Sequence, residues 1–100
     1  MTQATTPTFI LTIPDSVDLT VIKNIYFTLK QGIYTIRKSG QDLQIEGNTI
    51  SVYLNQDDTV KLKTGDAKLQ LNWTYEDGSR ACSNIVQVPI NENLIKEVLE

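Results

Sequence analysis

The stretch AKLQLNWTY, residues 67–75, decides how this chain is read. Ala67, Leu69, Leu71, Trp73 and Tyr75 alternate with Lys68, Gln70, Asn72 and Thr74. That period of two predicts a β-strand with one buried and one wet face. Glu76-Asp77-Gly78-Ser79 follows, and Asp-Gly supplies the positive φ of a tight hairpin turn. The chain then returns through Ala81, Cys82, Val86, Val88 and Ile90. The hairpin carries the only Trp and the only Cys, so it is expected to floor the core. Its register has two solutions. A two-residue Asp77-Gly78 loop pairs Trp73 with Cys82 and Leu69 with Val86. A three-residue loop with Gly78 in a bulge pairs Trp73 with Ala81 and Leu69 with Ile85. The apolar phase changes between Ile85 and Val86, which predicts a bulge over residues 83–85 that lets each register hold in part.

Upstream, further short strands are legible. Phe9, Leu11 and Ile13 alternate with Ile10 and Thr12 before a break at Pro14-Asp15-Ser16. In the next strand Val21, Ile25, Phe27 and Leu29 face one way, and Asn24, Tyr26, Thr28 and Lys30 the other. A Gln31-Gly32 turn would set Leu29 opposite Tyr34 and Phe27 opposite Ile36. A Gly47-Asn48 loop would set Ile45 opposite Ile50 and Leu43 opposite Val52. Frequent short strands with turn signals between them point to an all-β sandwich or a small barrel. Asn55, followed three residues later by Asp58, predicts a capped helical turn, with Val60 and Leu62 plugging the end of the core.

The ends read differently. Residues 1–7 are Thr-rich and predict a flexible N-terminal arm or an edge-docked tail, ahead of a β-domain over 8–90. From 91 to 100 the period changes, and Leu94, Ile95, Val98 and Leu99 share one helical stripe capped by Asn91 or Asn93. Such a short amphipathic helix is marginal alone and must pack on its own domain or on a neighbouring subunit.

Composition narrows function. Nine Lys plus Arg against twelve Asp plus Glu disfavour nucleic-acid binding. The apolar runs are too short to span a membrane, and the first residues show no signal peptide. A lone Cys82 forms no internal disulfide and suits a cytosolic origin. With no His in the chain, that thiol lacks its usual base and is expected to be a small core side chain beside Trp73. Asp42, Glu46, Asp57, Asp58, Asp66, Glu76 and Asp77 fall at turns or strand ends and read as solvated, with neither a catalytic pair nor a calcium loop among them. Asn72-Trp73-Thr74 matches a glycosylation acceptor but lies inside a strand. No enzyme, cofactor or metal site is expected. Tyr26 and Tyr53 fall on the polar faces of their strands, where exposed tyrosines provide rigid contact area with a polar tip. Together with Leu94, Ile95, Val98 and Leu99 they are the candidate partner-binding residues.

Three segments carry a family likeness: TFILTIP at 8–14, EGNTISVYLNQDDT at 46–59 and DGSRACSNI at 77–85. In them the chain resembles small phage and prophage structural proteins of Gram-positive bacteria. It is similar there to the N-terminal domain of phage baseplate upper proteins. The resemblance implies an immunoglobulin-like antiparallel β-sandwich, which with the strands and tail read above makes an all-β fold of about seven to eight strands with a short C-terminal helical tail. It also implies a non-catalytic virion tail, baseplate or assembly component, made in the host cytoplasm and acting through contacts with itself or other virion proteins. A carbohydrate- or cell-surface-binding module using Tyr26 and Tyr53 is the alternative. Because Trp73 is read as core, Trp73→Ala is expected to cost ~3–5 kcal/mol in denaturant unfolding, a large share of the ~5–15 kcal/mol typical of a domain.

Overall fold

Residues 65–75 form the longest strand of the computed structural model, which describes residues 1–14 and 16–95. In chain order the strands are β1 (Thr8–Thr12), β2 (Ile22–Gln31), β3 (Tyr34–Ser39), β4 (Leu43–Glu46) and β5 (Thr49–Tyr53). Helix α1 (Gln56–Thr59) follows, then β6 (Gly65–Tyr75), β7 (Arg80–Cys82) and β8 (Val86–Ile90). One antiparallel sheet runs β1-β5-β4. The other runs β3-β2-β6, with β7 and β8 both paired to β6, β7 near its C-terminal end and β8 near its start. The sheets close on one core in a sandwich-like arrangement.

Alternation explains that core. Ile25, Phe27 and Leu29 of β2 and Ala67, Leu69, Leu71 and Trp73 of β6 are buried, and so are Ile50 and Val52 of the facing sheet. Phe27 is fully buried, and its ring lies 5.7 Å from that of Phe9, tilted by 43° across the gap between the sheets. The Trp73 indole N–H donates to the Tyr75 hydroxyl at 2.9 Å, so burying the indole strands no donor.

The hairpins test the expected registers one by one. Ile45 pairs with Ile50 and Leu43 with Val52 around Gly47-Asn48, as the alternation requires. The β2–β3 turn differs. Leu29 pairs with Ile36 and Gln31 with Tyr34, so the loop is Gly32-Ile33 and not Gln31-Gly32. Gly32 has φ of +60°, and a glycine at the first loop position is what a type II′ turn asks for. The shift is two residues, so every side chain keeps its face. Val21, expected inside, is exposed, because a register irregularity between Ile22 and Asn24 lets Ile22 pack on the core instead.

In the central hairpin both registers occur. Trp73 pairs with Ala81, the three-residue solution, while Leu69 pairs with Val86, the two-residue one. The chain changes phase over residues 83–85, where the Ser83 hydroxyl accepts from the Leu71 amide at 3.0 Å and the Ser83 amide donates to the Leu71 carbonyl at 2.9 Å. One consequence overturns an expectation. With Ala81 opposite Trp73, Cys82 pairs with Asn72 on the outer phase and is exposed, not a core thiol.

Both ends are tied to the sandwich. Residues 1–7 take the docked course, with Thr2 in a parallel bridge to Asn91 and Gln3 and Ala4 buried. The Gln3 side chain donates to the Leu62 carbonyl at 2.8 Å and accepts from the Asn93 amide at 3.2 Å. No helix forms over 91–95; the Asn93 side chain instead donates to the Gln3 carbonyl at 2.9 Å and accepts from the Ile95 amide at 3.1 Å. Val98 and Leu99 lie outside the described residues.

The capped turn is present as expected. Asn55 Oδ1 accepts from the Asp58 amide at 2.9 Å, while Asp58 Oδ2 accepts from the Asn55 amide at 3.0 Å. Leu62 is buried beneath it, and Val60 is half-buried. Asn55→Ala should lower stability by about 1 kcal/mol, read as a lower urea midpoint at unchanged m-value.

Candidate functional site

The outer face of the larger sheet gathers the polar side chains that alternation turns away from the core. β2 contributes Asn24, Tyr26, Thr28 and Lys30, and β6 contributes Lys68, Gln70, Asn72 and Thr74. The ladder aligns them in rows. Ser39, Tyr26, Asn72 and Cys82 form one row, and Arg37, Thr28 and Gln70 form another. Asn24, Thr74 and Arg80 form a third. A depression of about 350 Å³ lies over these rows, lined by Tyr26, Thr28, Arg37, Asn72, Thr74 and Arg80 among others. Thr28 also lines a second depression of about 440 Å³ that continues toward Lys30, Lys68 and Gln70.

Charge on this face departs from the chain as a whole. The protein carries a net −3, yet Arg37, Arg80, Lys30 and Lys68 converge here. Lys30 stands directly opposite Lys68, a like-charge cross-strand pair that disfavours folding. Neither arginine has an ion-pair partner among the described residues. Asp66, at the start of β6, lines the lysine end of the second depression. Thr74 adds a second unmet demand: its hydroxyl oxygen is covered from solvent and has no hydrogen-bond partner among the described residues. A covered, unpaired hydroxyl costs ~1–3 kcal/mol.

Tyr26 thus lies at the centre of the depression, half-buried. Tyr53 does not join it. It is 56% exposed on β5 of the other sheet, so the two tyrosines look outward from opposite layers. Leu94 is 90% exposed and Ile95 49% exposed, away from both tyrosines' strands in the segment that follows β8. Arg37, Arg80, Asn72 and Thr74 were not among the expected site residues. Strand parity places Arg37 and Asn72 beside Tyr26, whereas Arg80 comes to this face only through the three-residue register of the β6–β7 hairpin.

A second polar cluster sits at the end of the sandwich and is structural. The Tyr34 hydroxyl donates to the Asp58 carbonyl at 2.5 Å, and Lys38 Nζ lies 3.0 Å from Asp58 Oδ2, tying β3 to α1. Burial, with the nearby Asp58 charge, pushes the Tyr34 phenol above its ordinary value. At the turns, the Ser79 and Thr20 hydroxyls and amides donate to Asp77 and Asp18 and hold those carboxyls below the usual range. No cluster of three or more Cys, Asp or Glu able to hold a metal ion occurs among the described residues. No helix among them is long and apolar enough to cross a membrane.

The Tyr34 shift sets an alkaline limit. The phenol ionises more readily in the unfolded chain, so its contribution is complete below about pH 10 and is lost as pH rises through the higher folded value. Tyr34→Phe should cost about 0.5–1.5 kcal/mol at neutral pH and flatten the fall in melting temperature above pH ~10, followed by circular dichroism. Comparison of the chain with protein-family models, with curated proteins and with solved structures finds no match in any of the three.

Proposed function

We propose that this chain is an immunoglobulin-like β-sandwich serving as a non-catalytic structural component of a phage particle, in its tail, baseplate or assembly machinery, through contacts with its own copies or other virion proteins. The observation that carries the contact reading is the segment after β8. Asn93 is clamped to Gln3 through its amide and its side chain, and directly beyond it Leu94 and Ile95 project exposed. An apolar pair held out from a fixed anchor is suited to burial against a second surface. Packing of these two on their own sandwich, the other option, gains no support from their exposure.

The strand order supports the immunoglobulin-like reading. β1-β5-β4 facing β3-β2-β6 with β7 and β8 follows the order B-E-D against C′-C-F-G of a variable-type domain. Residues 1–7, bridging in parallel to Asn91 after the last strand, take the place of its first strand. The virion setting rests on the resemblance in residues 8–14, 46–59 and 77–85. A second reading, a carbohydrate-binding module, is favoured by the depression around Tyr26 but not by Tyr53, which faces the other way.

Mass measurement in solution, by light scattering over a range of concentrations, tests the contact reading. The wild-type chain should self-associate or bind a virion protein. The double variant Leu94→Asp, Ile95→Asp should do so at least ~10-fold more weakly, with its unfolding midpoint unchanged because neither side chain is in the core. A wild-type chain that stays monomeric at high concentration and binds no virion protein overturns the proposal.

A further inference from the structure

The outer face of the larger sheet is left with three features that folding does not explain. Two arginines without ion-pair partners line one depression, at the corners of its side-chain grid. Two lysines oppose each other along the adjoining depression. A covered threonine hydroxyl lacks a partner in the lining of the first. The lysine pair and the covered hydroxyl disfavour the isolated fold, whereas the two arginines are exposed and solvated, open to a ligand.

From these we infer that the face formed by β2, β6, Arg37 and Arg80 binds a linear acidic oligosaccharide. The inference rests on the carbohydrate-binding reading and narrows it to anionic glycans. The row geometry sets the ligand's size. Thr74 and Lys68 are six residues apart on β6, so the track from the Arg80 row to the lysine pair is about 20 Å long, the scale of several sugar units. Arg37 and Arg80 lie about 14 Å apart across the sheet and four residues apart along it, about 19 Å on the diagonal between backbones. They are therefore placed to hold charges on different units and not to chelate one anion. Between them Tyr26 offers an aromatic face for a sugar ring, and Asn72, Thr28 and Gln70 offer donors and acceptors for hydroxyl groups. Displacement of the side chains over Thr74 by a ligand hydroxyl would satisfy its oxygen.

Other polyanions fit less well. Four cations in a chain of net charge −3 are a weak footprint for a nucleic-acid backbone. An acidic peptide that adds a strand needs a free sheet edge, and β2 and β6 are both paired on two sides. Asp66 lines the lysine end of the track, and its carboxylate repels an anionic ligand that would extend past the lysine pair.

Three probes separate the possibilities by titration calorimetry on the full chain: a hexamer of a linear uronic acid, its neutral hexose counterpart, and a single-stranded oligothymidylate of matching charge. The uronate should bind, weakening as salt is raised from 50 to 500 mM. Tyr26→Ala, Arg37→Ala and Arg80→Ala should each weaken it about tenfold, and Tyr53→Ala on the opposite layer should leave it unchanged. Each variant's melting curve keeps loss of binding distinct from loss of fold. Binding of the neutral hexose alone would overturn the anionic assignment while sparing the carbohydrate reading. No binding of either sugar would overturn both. Equal binding of the oligothymidylate, or uronate binding indifferent to Tyr26, Arg37 and Arg80, would show unspecific attraction and overturn the inference.

Discussion

The pairing of β2 with β6 is the constraint on which the rest of the structure depends. Their ladder runs from Ile22 opposite Tyr75 to Lys30 opposite Lys68, and it stacks Ile25 on Trp73, Phe27 on Leu71 and Leu29 on Leu69 along the inner face. Those residues are all buried and form the wall against which Phe9, Ile50 and Val52 of the smaller sheet pack. The same ladder sets the outer face, because side chains alternate and no residue of a strand can change sides without moving its neighbours. Core and candidate site are thus two faces of one pairing.

A single polar residue closes the open end of the sandwich. Gln3 is buried, yet its side chain is satisfied by Leu62 and Asn93, and its backbone by Asn91 and Asn93. A buried amide with its partners in place links three distant parts of the chain, whereas one left unpaired would cost ~1–3 kcal/mol. Through it the first residues, the loop after α1 and the segment after β8 become one structure. That link is also what holds Leu94 and Ile95 out at a defined place.

The phase change at residues 83–85 reconciles two demands. β7 must present Ala81 beside Trp73, and β8 must present Val88 and Ile90 to the core, but no regular hairpin does both. The chain absorbs the extra residue where Ser83 substitutes for a regular ladder partner of Leu71. As a result Arg80 lies beside Thr74 and completes the cationic border around Tyr26. A local irregularity in the backbone therefore shapes the surface chemistry.

Much of this was legible in residue order alone. Alternation marked the strands, Asn55 and Asp58 marked the capped turn, and the conflict of phases between Ile85 and Val86 marked the break in the last hairpin. These are local properties, set by backbone geometry within a few residues. Parity also put Tyr26 on the outer face, since parity survives even a two-residue slip such as that of the β2–β3 turn. The structure alone decided which strands lie side by side. Non-local pairing brought Arg37 and Arg80 to opposite borders of one depression and parted Tyr26 from Tyr53. It also replaced the helix expected at the start of the tail with a clamp on Gln3. Each of these outcomes depends on contacts between residues far apart in the chain, and a periodicity read in one segment carries no information about which partner another segment will choose.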